Sequence, residues 1–167
     1  MLVLGVLAAA TYGLYSLLRR HRSLPFESFT ITQVTDNGKS VLAAVSPDSK
    51  YLLVVMEDKG KQSLWLHNIP SNSNTQIMSP EVTDYQRLVF SPDGNFIYFR
   101  KAVNITQTEY NLYRAPVLGG TPQLILRDVD YGITFSPDGK SFAYVRQNDP
   151  EMGKYNLLMA KADGTGS

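Results

Sequence analysis

Cysteine is absent from the 167 residues, which removes disulfides, thiolate metal sites and cysteine nucleophiles together. Histidine occurs only as His21 and His67, too few for a multi-histidine metal centre. Charge of one sign is missing as well. Sixteen Lys and Arg face fifteen Asp and Glu, a net charge of +1, which argues against nucleic-acid binding through a broad basic surface. Long helical periodicity is also lacking: beyond the first 22 residues, short apolar runs alternate with turn residues. What is present is 43% hydrophobic and 11% aromatic residues, ample for a packed core.

The amino-terminal stretch Met1 to Leu18 (MLVLGVLAAATYGLYSLL) holds no charge, and Arg19-Arg20-His21-Arg22 follows directly. At about 1.5 Å per residue it reaches roughly 27 Å as a helix, enough for a thin hydrocarbon core. Tyr12 and Tyr15 lie near its basic end, where interfacial aromatics are favoured. Residues 1–18 are therefore expected to form a single transmembrane helix and 19–28 a basic juxtamembrane connector. A cleaved signal peptide fits poorly, because its charges precede the apolar run. Orientation stays open. Taken alone, the arginines hold the following chain on the cytoplasmic side; a cytoplasmic segment ahead of Met1 reverses this.

Residues 29–167 carry a repeat. Ser46-Pro47-Asp48-Ser49, Ser91-Pro92-Asp93-Gly94 and Ser136-Pro137-Asp138-Gly139 each begin 45 residues after the last. An apolar strand leads into each turn (Leu42–Val45, Leu88–Phe90, Ile133–Phe135) and a second leaves it (Tyr51–Met56, Phe96–Arg100, Phe142–Val145). Third strands are expected at Ser63–Leu66, Asn111–Tyr113 and Asn156–Leu158, and fourth strands at Gln76–Met78 and Gln123–Leu126. The third repeat stops before its fourth. A further strand is expected at Phe29–Val34, rich in β-branched residues. The second strands are apolar on both faces, Phe96 and Tyr98 pointing one way and Ile97 and Phe99 the other, so both faces need cover.

Four strands per 45-residue period predict a β-propeller blade. The distance from the turn serine to the third-strand aromatic changes from 19 residues (Ser46 to Trp65) to 22 (Ser91 to Tyr113), while the period holds. Loops trade length and the scaffold does not. The fold expected is thus all-β: a partial propeller of about three blades (41–85, 86–130, 131–167), preceded by the membrane helix.

The turn residues have a structural explanation. Proline fixes φ, aspartate accepts from backbone amides ahead of it, and glycine tolerates positive φ at the return. Ser46, Pro47, Asp48, Ser91, Pro92, Asp93, Gly94, Ser136, Pro137, Asp138 and Gly139 are accordingly expected to close hairpins. Ser49 should leave its turn strained or differently wound. Blade-related aspartates sit too far apart to converge on one ion. His67 has no acidic or serine partner at a recognisable spacing and is expected to be a partly exposed strand residue. Gly119-Gly120 reads as a hairpin, since no helix follows to make a phosphate nest. Trp65, Tyr110 and Tyr113 are expected to pack between blades. No catalytic residue, metal or cofactor is assigned.

The segments LVFSPDGNFIYFR and ITFSPDGKSFAYVR resemble the TolB-like, WD-repeat-like propellers of bacteria, over roughly Phe29 to Lys161. An apolar helix, then RRHRSLPF, FTITQVT and YNLYRAPVLGGTPQLI, is similar to the C-terminal half of acidobacterial-type receptor Ser/Thr protein kinases. That resemblance implies a kinase on the cytoplasmic side and a propeller beyond the inner membrane that senses or binds a protein or peptide, with a small molecule as the other ligand class. No Gly-rich phosphate loop, His-Arg-Asp or Asp-Phe-Gly occurs, so no kinase residue carries over. The alternatives are the gating propeller of an S9-type serine peptidase, a stand-alone periplasmic TolB-like scaffold, and the sensor half of a membrane-bound winged-helix regulator.

Overall fold

The computed structural model describes residues 5, 11–13, 15, 30–35, 38–106 and 109–165. The chain divides into two units, Met1–Asp36 and Asn37–Ser167. In the first, Gly5, Thr11, Tyr12, Gly13 and Tyr15 are helical. The rest of the expected membrane span, and all of the 19–28 connector, lie outside the described residues. Among those described, no helix is long and apolar enough to cross a membrane. Thr30–Thr35 carry no strand, contrary to the expectation for Phe29–Val34. Among the described residues no strand pairs with them, and a lone strand leaves its amides unsatisfied.

The second unit is three antiparallel sheets in chain order. The first is β1 (Ser40–Val45), β2 (Tyr51–Asp58), β3 (Lys61–Asn68) and β4 (Ser73–Glu81), arranged β1-β2-β3-β4. The next repeats it as β5 (Tyr85–Phe90), β6 (Phe96–Ala102), β7 (Tyr110–Pro116) and β8 (Gln123–Leu126). The last has three strands, β9 (Thr134–Phe135), β10 (Ser141–Gln147) and β11 (Tyr155–Lys161). Strands follow their sequence neighbours in space, and β1 touches β5 across the sheets. This is the arrangement of propeller blades with their first strands innermost.

Burial follows from that stacking. Leu53, Val55, Leu64 and Leu66 of the first blade meet Tyr85, Phe90, Ile97, Phe99 and Ala115 of the second. On the other face, Tyr98, Leu112 and Leu126 meet Phe142, Tyr144 and Ala160 of the third. Ile97 and Phe99 thus face one neighbour and Tyr98 the other, as the alternation predicts. Phe99 stacks on Tyr113 with ring centroids 5.9 Å apart. The Tyr98 hydroxyl donates to the Ala162 carbonyl at 2.8 Å, a direct tie between blades two and three. Burying a side chain such as Phe99 contributes about 2–3 kcal/mol, so the second blade holds the unit together from both sides.

Candidate functional site

The three SPD turns fold alike, each on a bond between its serine and aspartate. Ser46 Oγ donates to Asp48 Oδ1 at 2.6 Å and accepts from the Tyr51 amide at 2.9 Å. Asp48 also accepts the Lys50 amide at 3.1 Å. The pattern recurs at Ser91, Asp93, Asn95 and Phe96, and again at Ser136, Asp138, Lys140 and Ser141. The fourth residue of each turn donates its amide to the serine carbonyl at 2.9 Å. Its φ is positive in all three: +58° at Ser49, +73° at Gly94 and +69° at Gly139. Ser49 therefore winds the same way as the glycines and bears the strain of a Cβ in the left-handed region.

Electrostatics match this geometry. The serine hydroxyl first, and the amide two residues on, hold Asp48, Asp93 and Asp138 below the ordinary carboxylate range. These carboxylates are built to accept, not to exchange protons near neutral pH. The turns also line clefts between blades. One of about 460 Å³ lies between Pro47 and Asp48 on one side and Pro92 and Asp93 on the other. A smaller one of about 210 Å³ runs from Asp93 past Arg114 to Asp138. Among the described residues, no three His, Asp or Glu side chains come together as a metal site would require.

Other expectations need correction. His67 is buried, not partly exposed, and its Nδ1 lies 2.9 Å from Asn74 Oδ1. Residues 67 and 74 are direct cross-strand partners of β3 and β4, because β4 begins at Ser73, ahead of the expected Gln76. Trp65 is half-buried and donates through its indole to Ser63 Oγ at 3.0 Å. Tyr113 packs against the cluster between blades one and two, as expected. Tyr110 instead donates its hydroxyl to Asp84 and lies under the Arg100 guanidinium, whose carbon is 4.5 Å from the ring centre.

That pair belongs to a polar cleft which sequence reading missed. About 470 Å³ in volume, it is bounded by Gln86, Arg100 and Tyr110 of blade two and by Asp130, Tyr131 and Gln147 on the third-blade side. It opens where β6 ends, at the rim opposite the SPD turns. Arg100 is only 6% exposed, and its Nε is buried without a hydrogen-bond partner. A signal was present in the sequence. Alternation puts Arg100 on the face of Tyr98, a covered position at which an arginine needs a reason.

Stacked antiparallel sheets of four, four and three strands with a repeated turn on one rim define a β-propeller segment. The chain belongs to the dipeptidyl peptidase IV (DPP IV) N-terminal region family, whose profile matches residues 46–166. No curated protein matches it. Among solved structures it is similar to TolB from Acinetobacter baumannii, at 17% identity and a TM-score of 0.63, covering 81% of this chain and 33% of that one. It also resembles a protein assigned as a dipeptidyl aminopeptidase IV from Bacteroides ovatus, at 16% identity and 0.64, covering 80% and 26%. The β-propeller domain of the Trilobed protease from Pyrococcus furiosus matches at 13% identity and 0.54, covering 77% and 42%. Identities this low speak for the fold alone, and the chain spans less than half the length of each of these proteins.

Proposed function

We propose that this chain is a non-catalytic recognition segment of a larger propeller protein, binding a protein or peptide between its blades. The observation that carries this reading is the construction of the rims. The repeated polar residues are consumed in holding turns, while the space between neighbouring blades is left as clefts. Two settings fit it. Family membership favours the S9-type peptidase propeller, which gates access to a hydrolase domain elsewhere in the chain. The uncharged stretch 1–18 and the basic cluster behind it favour a membrane-anchored sensor, with the propeller outside the cytoplasm and a Ser/Thr kinase on the inner side.

One experiment separates the settings. Full-length protein in membranes is treated with a fluorophosphonate probe for serine hydrolases, and in parallel with protease added to intact spheroplasts. The peptidase setting predicts covalent labelling of the full-length band. The sensor setting predicts no labelling and cleavage of the propeller from outside. A propeller that is both unlabelled and protected contradicts both.

A further inference from the structure

The polar cleft between blades two and three has an imbalance in its wall. Its lining carboxylate, Asp130, and Asp84, which is bonded to the lining Tyr110, already accept from neutral donors. Asp84 accepts from the Tyr110 hydroxyl and from Gln86 Nε2, and Asp130 Oδ2 accepts the Gln147 amide at 2.6 Å. Arg100 is the opposite case. No carboxylate among the described residues comes within ion-pairing distance of it, and its guanidinium makes no hydrogen bond with them. It is nevertheless 94% removed from solvent, the complement of its 6% exposure.

A buried, always-charged group without a partner is costly, and such cost persists where the partner arrives from outside. The Tyr110 ring lies 4.5 Å below the guanidinium carbon and restrains its plane. A guanidinium held this way presents its donors as a fixed fork, the geometry that fits a planar carboxylate in two parallel hydrogen bonds. Gln147 and Tyr131 line the same space, and neither the Gln147 side-chain amide nor the Tyr131 hydroxyl makes a hydrogen bond among the described residues. Asp84 and Asp130 lie near enough to act on Arg100 electrostatically. Their negative charge disfavours a dianion more than a monoanion, so a phosphate is the poorer fit.

We infer that this cleft binds a single carboxylate of a peptide, held in bidentate fashion by Arg100 over Tyr110, with Gln147 and Tyr131 as the neighbouring donors. The inference rests on reading the propeller as a recognition module, but not on which larger protein it serves. It survives either result of the labelling and protease assays.

The test uses the full-length protein and three probes: acetyl-Gly-Glu-Gly-amide, acetyl-Gly-Gly-Gly with a free C-terminus, and inorganic phosphate. Calorimetric titration should show binding of one tripeptide, and which one identifies the carboxylate as a side chain or a terminus. Phosphate should bind more weakly. Arg100→Gln should weaken the tripeptide by at least about tenfold, as loss of a charge-assisted pair requires, and Arg100→Lys by less. Because Arg100→Gln can disturb the blade, the wild-type protein supplies a second readout. Phenylglyoxal modification of Arg100, followed by mass spectrometry, should slow when the bound tripeptide is present. The inference is overturned if neither tripeptide binds, if phosphate binds as tightly, or if the tripeptide leaves modification of Arg100 unchanged.

Discussion

Blades two and three share a turn and, after it, a strand with the same F-x-Y-x-R pattern, yet they bury different amounts. In β6, Ile97, Tyr98, Phe99 and Arg100 are all buried, on both faces of the strand. In β10 burial alternates, with Phe142 and Tyr144 covered. In β11, Tyr155, Leu157 and Met159 stand 56%, 74% and 63% exposed. The apolar content does not account for this, since YNLYRAP and YNLLMAK open alike. The difference is a neighbour. Among the described residues, blade two has one on each side, and blade three has one only. A blade's sequence specifies two apolar faces, and the stacking decides which of them is dry.

Substitution of matched residues should expose this contrast most strongly. Leu112→Ala in the second blade, where the side chain is buried, is expected to cost about 2–5 kcal/mol, read by denaturant unfolding. Leu157→Ala in the third should cost no more than about 0.5 kcal/mol. Equal losses would mean that blade three is covered after all. The turns give a smaller contrast. Gly94→Ala places a Cβ at φ +73° and should cost about 1 kcal/mol, while Ser49→Gly should recover about 0.5–1 kcal/mol by relieving the same strain at +58°. If Ser49→Gly destabilises, the first turn is not strained.

Acid sharpens the picture least but touches all three blades. Asp48, Asp93 and Asp138 have folded pKa values below the ordinary value of 3.8. Their contribution is therefore complete above that value and falls away as pH drops through the lower, folded values. Thermal unfolding followed below about pH 4 should show a decline that is shallower in a variant carrying Asn at all three positions. A decline of unchanged slope would assign acid sensitivity to other carboxylates.

The propeller was legible because its turns are local. Pro, Asp and Gly act through their own backbone, so the 45-residue beat located every hairpin between first and second strands. Less visible were features that depend on partners. β5 begins at Tyr85, not Leu88, because a bulge with Arg87 at φ +53° lets the strand continue where its alternation breaks. β9 shrinks to Thr134–Phe135, and Phe29–Val34 gained no described strand. His67 looked exposed because Asn74, its cross-strand partner, sits in a stretch that reads as loop. Arg100 was missed for a related reason. An arginine ending an apolar strand reads as its solvated tip until a neighbouring blade covers it.

The central claim is that the third blade carries a face made for a neighbour. It is tested most directly by sedimentation velocity on residues 37–167 alone, beside a double variant with Leu157→Lys and Met159→Lys. The uncovered face predicts concentration-dependent self-association of the unaltered segment and its loss in the variant. A monodisperse, cooperatively unfolding monomer in the unaltered segment would contradict it.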